Sequence, residues 1–119
     1  MANYVDGYVL PLPKKNLAAY RRMAELGKKV WMDHGALTYH ECIGDDLDVK
    51  FGMPFPKVIK TKPGETVVFS YIVFKSRADR DKINARVMAD PRLAAMASKK
   101  MPFDVKRMLV GGFTTLVKG

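Results

Sequence analysis

The chain has 119 residues, 48% of them hydrophobic and 28% charged, so its length and composition fit one globular domain with a modest core. Its 21 lysines and arginines outnumber its 12 acidic residues, which gives a net charge of +9. The apolar runs are far shorter than the ~20 residues that cross a bilayer, and no basic segment precedes an apolar one at the N-terminus. A single cysteine excludes an internal disulfide. We therefore expect one cytoplasmic domain over residues 1–119 that has no membrane partner.

The chain begins with a predicted strand and a long helix. Residues 4–12 are an extended apolar stretch, and we expect Pro11 and Pro13 to end it, because proline lacks the donor that a central strand needs. Apolar residues at three- and four-residue spacing then predict a helix over 16–34 with one buried face. Gly35 suits the left-handed conformation that often closes a helix.

The middle of the chain predicts two strands joined by a long loop. The second strand covers 36–43, and the third covers 67–74, which is dense in β-branched and aromatic residues. The loop between them, 44–66, is rich in proline, glycine and lysine. Within it, Pro63-Gly64 predicts a type II turn that leads into the third strand.

The last part predicts two helices and a final strand. The residues Ser76–Asp79 match a capping box with Asp in place of Glu, so a helix is expected from there to about Ala89. Asp90 and Pro91 then restart a short helix, as its cap and its first residue. The final strand is predicted over 108–117.

The resulting order, β-α-β-β-α-β, predicts an α+β fold of the ferredoxin-like type, an antiparallel sheet with helices on one face. Alternation sorts the strand side chains into sets that share a side: Asp6 with Tyr8, Tyr39 with Glu41, and Phe69 with Tyr71. We expect an aromatic sheet face that is too apolar to remain in water. A second copy, paired through this sheet face about a two-fold axis, would cover it, so a homodimer is predicted.

Four long stretches of the sequence resemble, in the same order, the YbaA-like family, a bacterial family of unknown function: YVDGYVLPLPKKNLAAYRRMAE, HGALTYHECIGDD, KPGETVVFSYIVFKSRADRDKIN and MPFDVKRMLVGGF. The resemblance covers nearly the whole chain. It implies membership of the dimeric α+β barrel superfamily, in which two ferredoxin-like sheets pack into a shared barrel. It implies no particular reaction. Small monooxygenases and haem-degrading enzymes belong to the same superfamily, which is an analogy of fold alone.

The stretch LTYHECIGDD, residues 37–46, concentrates a histidine, the cysteine and three acids. On a strand, His40 and Cys42 point to one face while Tyr39 and Glu41 point to the other, so these groups do not converge. The spacing also lacks the tight ligand pattern of a metal site. We therefore predict no metal and no cofactor, and we expect Cys42 to be a small buried apolar residue.

Glu41 is the strongest candidate for chemistry, because a carboxylate among aromatic rings needs a partner. The candidate pocket that we predict around it consists of Asp6, Tyr8, Tyr39, Glu41, Tyr71 and Arg107. One interpretation makes Glu41 a general base or an acid that orients a ligand. The other makes the acids structural, in ion pairs with Arg77, Arg107 or a partner chain. Arg107, near Asp104, also fits a structural clamp.

The sequence leaves three functions open and does not decide whether the protein is an enzyme. The first is a small-molecule-binding barrel that acts as a cofactor-independent oxygenase or isomerase. The second is a basic RNA-associated protein, because the third strand places Phe69 and Tyr71 much as RNA-recognition domains place their stacking aromatics, although Val67 and Val68 replace the basic residue and the glycine. The third is a structural or interaction module without a ligand.

Overall fold

Four strands and four α-helices make up the computed structural model, which describes residues 2–119. In chain order they are β1 (Tyr4–Pro13), α1 (Leu17–Asp33), β2 (Thr38–Ile43), α2 (Phe55–Ile59), β3 (Glu65–Phe74), α3 (Arg77–Met88), α4 (Pro91–Ala97) and β4 (Leu109–Thr114). Short 3-10 turns at Lys14–Asn16 and Val105–Arg107 precede α1 and β4. Within residues 2–119, no helix is both long and apolar enough to cross a membrane.

The strands form one antiparallel sheet in the order β2-β3-β1-β4. Because β1 and β3 are the central strands and α1 and α3 are the crossovers, the predicted ferredoxin-like arrangement is confirmed. α2 and α4 are additions to it. The sheet has two free edges, along β2 and along β4.

The core lies between the sheet and the helices, and it divides into two clusters. One packs β1 and β3 against the ends of α1 and α3, through Tyr4, Ile72, Phe74, Val30, Ile83 and Val87. The other packs them against the start of α1, through Leu10, Leu12, Val68, Tyr20 and Ala24. Burial of each large side chain contributes roughly 1.5–3 kcal/mol. The core residues that β1 and β3 supply to the two clusters all have even numbers, so the even-numbered residues of these strands face the helices.

The first strand ends at Pro13, one residue beyond its predicted end, and Pro11 lies inside it. Pro11 and Pro13 pair with β3, opposite Val67 and Glu65. On the other side of β1, the ladder with β4 stops at Val9. Beyond that point β1 has a free edge, where a missing backbone N–H removes no ladder hydrogen bond.

Two predicted turns are confirmed by the backbone. Gly35 follows α1 with φ +111°, the left-handed conformation expected of a residue that closes a helix. Gly64 has φ +82°, and the Glu65 N–H donates to the Lys62 carbonyl at 3.1 Å. Proline at the second and glycine at the third position of this turn are what a type II turn requires.

The two predicted N-caps are also confirmed. The Ser76 hydroxyl accepts from the Asp79 N–H at 3.2 Å at the start of α3. The Asp90 carboxylate accepts from the Arg92 N–H at 2.9 Å at the start of α4. These side chains satisfy backbone donors that have no partner inside a helix.

The segment 44–66 was predicted as a plain loop, but it contains α2. Pro56 lies in the first turn of α2, and Lys60, with φ 55°, ends it. α2 contacts β1 and β3. Pro11 and Val67 project away from the other helices and are nevertheless buried, which indicates that this segment covers one end of the second sheet face. The rest of that face, which we call the open face, includes Phe69, Tyr71, Val73, His40, Leu109 and Phe113.

Candidate functional site

The Glu41 carboxylate lies between the sheet and α1, where two tyrosines hold it. The Tyr20 hydroxyl donates to Oε1 at 2.7 Å, and the Tyr39 hydroxyl donates to Oε2 at 2.7 Å. Within residues 2–119, Glu41 takes part in no ion pair. A half-buried carboxylate is thus satisfied by neutral donors, and each of its oxygens keeps a lone pair for a further donor.

Local structure explains how the three groups meet. Tyr39 and Glu41 are two residues apart on β2, so both point toward α1. Gly27 allows the approach from the helix side, because a Cβ atom added there would lie 2.8 Å from the Tyr39 hydroxyl oxygen. Trp31 packs on the Tyr39 ring, with 6.2 Å between ring centroids.

Two cavities flank these three side chains. The inner cavity, of about 150 Å³, lies between the sheet and the helices and has mostly apolar walls, including Trp31, Phe103, Met23, Met96, Met101 and Met108. The outer cavity, of about 440 Å³, lies beside α1 and β2, and its wall includes Arg21, Glu25 and Lys28. Tyr20, Tyr39 and Glu41 line both cavities, so the carboxylate stands where they adjoin.

The tyrosines of the site are held in their protonated form. The pKa values of Tyr20 and Tyr39 are raised far above the ordinary value of a tyrosine. Burial is the larger cause, and the negative charge of Glu41 is the second. Burial, followed by the charge of Asp6, raises the pKa of Tyr8 to about 12. Near neutral pH these hydroxyls therefore act as hydrogen-bond donors and not as bases.

Asp6 lies on the same face as Glu41 but belongs to a neighbouring polar network. Its carboxylate is 3.4 Å from Arg80 and accepts from Asn84 at 3.2 Å. Asn84 in turn accepts from the Trp31 indole N–H at 3.0 Å, and Arg80 stacks over the Tyr4 ring. Asp6 is thus in an ion pair, as one interpretation of the sequence had it, but its partner is Arg80 and not Arg77 or Arg107.

The structure separates Tyr71 from the candidate pocket. In the sheet register, Ser70 lies between Glu41 and Tyr8, so the next residue, Tyr71, projects from the open face. There its ring stacks on His40, with 5.0 Å between centroids. The prediction that placed Tyr71 with Glu41 was wrong, because it did not fix the register of β3 against β2.

Arg107 is also outside the pocket. It binds Glu65 through two hydrogen bonds, of 2.7 and 2.9 Å, and donates to the Lys60 carbonyl at 3.0 Å. Asp104 caps the turn before it by accepting from the Lys106 N–H. Arg107 is therefore the structural clamp that the sequence left as an alternative.

His40 and Cys42 border the outer cavity, but their side chains project from the face of β2 opposite to that of Glu41. Cys42 is exposed, contrary to expectation, because β2 is an edge strand with a neighbour on only one side. Within residues 2–119, no group of three or more His, Cys, Asp or Glu side chains is arranged to share a metal ion. The arrangement supports proton transfer and hydrogen bonding by Glu41 itself.

Tyr20 and Gly27 are the site residues that the sequence alone did not single out. Both lie on the buried face of α1, with Ala24 between them. Two small residues on a helix face that otherwise carries Tyr20 and Trp31 leave room for another side chain. These two small residues are the feature of the sequence that could have predicted the approach of Tyr39.

The chain belongs to the DUF1428 family, described as proteins of unknown function, whose model matches residues 3–105. It is 38% identical to the uncharacterized protein YbaA of Escherichia coli K12 over 114 residues, which covers 96% of this chain and 97% of that protein. YbaA of Shigella flexneri matches with the same identity and coverage. The predicted family is therefore confirmed.

Solved structures with low sequence identity show the same fold. A nipsnap family protein with unknown function from Agrobacterium tumefaciens superimposes with a TM-score of 0.60 at 19% identity, over 95% of this chain and 87% of that one. A dimeric ferredoxin-like protein from an uncultured marine organism gives 0.59 at 9% identity, with all of both chains covered. Rv0793 from Mycobacterium tuberculosis gives 0.57 at 14%, over 99% of this chain and 98% of that one.

Proposed function

We propose that the protein binds a small organic molecule between α1 and the sheet and that Glu41 takes a proton from it. The observation that carries the proposal is a half-buried carboxylate, held by two neutral hydroxyls, at the junction of two cavities. Asp6 and Glu65, by contrast, have cationic partners. Glu41 does not, so its charge remains available to a ligand.

The inner cavity indicates the apolar part of the ligand. A cavity of ~150 Å³ with apolar walls is large enough to take a benzene ring, and this one is of about that volume. Its methionine side chains are flexible and adapt to irregular shapes. A single ring, or an apolar group of that size, with a hydroxyl or other acidic group directed at Glu41, fits the walls.

Deprotonation is the step shared by the two reaction classes that this geometry favours. In an isomerase, the proton that Glu41 removes returns to another atom of the same molecule. In a cofactor-independent oxygenase, the deprotonated substrate reacts with dioxygen. The protonated hydroxyls of Tyr20 and Tyr39 stabilise the carboxylate by hydrogen bonds and orient it toward the cavities.

Native mass spectrometry of protein freshly purified at low salt tests the proposal. We expect a reproducible small additional mass on the wild type that is absent from Glu41→Gln, since the amide cannot accept a proton. Asp46→Asn, which removes a charge from the exposed loop after β2, is the control and should retain the mass. An additional mass that persists in Glu41→Gln, or a wild type that carries none and binds no small phenol, would refute the proposal.

We also propose a homodimer that pairs two open faces. Large apolar side chains on this face are exposed in the single chain, among them Phe69 at 46% and Phe113 at 61%. Stable interfaces bury side chains of this type, and the marine ferredoxin-like protein of similar fold is dimeric by its description. The free Cys42 suits the cytoplasm, where thiols stay reduced.

RNA binding is the competing use of the same face, since stacked His40 and Tyr71, with Phe69 beside them, offer aromatic surfaces. The net charge of +9 would assist it. It requires a face that is not covered by a second copy. Affinity for an RNA oligonucleotide should then fall steeply between about 50 and 200 mM salt. Binding that ignores salt, or no binding at 50 mM, would exclude this function.

A further inference from the structure

We propose that the outer cavity takes a carboxylate substituent of the ligand and that Arg21 is the residue that binds it. This inference rests on the proposed function and deepens it by naming the second recognised group of the ligand. It makes the preferred ligand class a small hydroxylated ring acid, with its ring in the inner cavity, its hydroxyl on Glu41 and its carboxylate on Arg21.

The charges that line the outer cavity support this assignment. Lys28 is already paired with Glu25, with 2.9 Å between Nζ and Oε2. Arg21, from the same helix, also lines the cavity, and within residues 2–119 it has no ion-pair partner within 4.0 Å. The wall therefore presents one guanidinium that forms no ion pair, although Glu25 lies near enough to interact with its charge.

The chemistry of the wall favours a monoanion over a phosphate. The planar guanidinium matches the two oxygens of a carboxylate. A dianion would place its second charge near Glu25 and Glu41, which both line the same cavity. Because Lys28 and Glu25 pair with each other, Arg21 offers one positive charge, which suits a group with a single negative charge.

The position of Arg21 on α1 links the proposed carboxylate site to Glu41 and to the inner cavity. Arg21 follows Tyr20, whose hydroxyl binds Glu41, and Tyr20 and Glu41 line both cavities. A ligand that extends from the inner to the outer cavity passes Glu41 on its way. Arg22, the next residue, is also exposed but lines neither cavity. Arg22 is therefore a matched control for charge and for helix position.

Titration calorimetry with two probes tests the inference: 2-methylphenol, which has the ring and the hydroxyl, and 2-hydroxyphenylacetate, which adds a carboxylate beside the hydroxyl. Arg21 is exposed, so an ion pair with it contributes modestly, and we expect the wild type to bind 2-hydroxyphenylacetate about threefold to fivefold more tightly than 2-methylphenol. Arg21→Gln should lose this preference and keep its affinity for 2-methylphenol, whereas Arg22→Gln should keep both.

The possible outcomes separate this inference from the proposed function. If Arg21→Gln retains the preference, or Arg22→Gln loses it to the same extent, the carboxylate does not bind Arg21 and the inference is overturned. If the wild type binds 2-methylphenol through Glu41 without any preference for the acid, only the inference fails. If it binds neither probe, the proposed function and the inference fail together.

Discussion

Glu41 differs from Asp6, Glu65 and Asp90 in that its partners are neutral. An arginine partner would fix a carboxylate as an ion pair and would have to be displaced before the acid reacted with a ligand. Tyrosine donors satisfy the oxygens without cancelling the charge. Because burial and Glu41 itself raise the pKa of both tyrosines, these donors do not lose their protons at neutral pH.

Gly27 should be necessary for this arrangement. In Gly27→Ala the new Cβ would meet the Tyr39 hydroxyl, and the tyrosine would move away from Glu41. The loss of a charge-assisted bond, worth roughly 1.5–3 kcal/mol, outweighs the ~1 kcal/mol of helix propensity that alanine adds. We expect a lower free energy of unfolding by about 1 kcal/mol, measured by urea denaturation.

The control is Gly27→Ala made in a protein that already carries Tyr39→Phe. Without the hydroxyl, the nearest atoms to the new Cβ lie at 3.7 and 3.8 Å, which is ordinary contact. Gly27→Ala should then be neutral or stabilising by up to ~1 kcal/mol. An equal destabilisation in both backgrounds would show that Gly27 has some other role.

How far the site could be predicted from the sequence depends on which contacts are local. That Tyr39 and Glu41 share one face of β2 follows from strand alternation alone, and it does not depend on any other element. Tyr20 comes from another element, so its contact depends on how α1 lies over the sheet. Tyr71 was misplaced because a shift of one residue in strand register moves a side chain to the opposite face.

At the scale of elements, the turn before β4 is tied to the start of β3. Arg107 makes two bonds to Glu65 and one to the Lys60 carbonyl at the end of α2. The turn before β4 is thus tied to the end of α2 and the start of β3, which lie 47 and 42 residues earlier in the chain. A second clamp ties α1 to α4, where Asp90 accepts from Arg92 and pairs with His34 at 2.8 Å.

The Arg107 clamp should make stability depend on pH in the acid range. The hydrogen bond from Arg107 lowers the pKa of Glu65 in the folded protein, whereas the unfolded value is about 4.3. The stabilisation is therefore present above that value and is lost as pH falls through the folded pKa. We expect the difference in urea midpoint between wild type and Arg107→Gln to be largest at pH 5–7 and to shrink toward pH 3.

Glu65→Gln should likewise reduce the change in the urea midpoint between neutral and acid pH, because it removes the carboxylate that titrates. A midpoint difference between wild type and Arg107→Gln that stays constant from pH 7 to pH 3 would show that the clamp acts only through the Lys60 carbonyl.

The order of elements was predictable because hydrophobic periodicity and caps are local signals. The place of Pro11 inside β1 was not predictable, because whether a strand tolerates a proline depends on which neighbour strand lies beside it. α2 was missed for a related reason. Its five residues are too short for a periodic pattern, and its apolar residues pack on a sheet face that the local sequence does not identify.

At the scale of the whole molecule, the two faces of the sheet differ in how they are covered. One is covered by α1, α3 and α4, and the other is covered only at one end, by the segment that contains α2. Phe113 lies over Gly7 and Gly111, where Cβ atoms would approach its ring to 3.4 and 3.5 Å. These glycines let the ring lie flat, which favours pairing with a second sheet.

Phe69→Glu should therefore convert the proposed dimer to a monomer, because two copies would bring buried charges together. Sedimentation velocity would show the change. Met88→Glu is the control, since Met88 is 63% exposed on α3, away from the open face, and its substitution should leave the dimer intact. A Phe69→Glu protein that remains dimeric would mean that the copies associate through another surface.

The strand that carries Glu41 is bonded along only one edge, to β3. An edge strand of six residues has fewer cooperative contacts than the two central strands, so it opens locally at a lower free energy than the domain as a whole. Amide protons of β2 should exchange with solvent faster than those of β1. A molecule that contacts both Glu41 and α1 would link the edge strand β2 to the most extensively packed helix. It would therefore slow the exchange of the β2 amide protons.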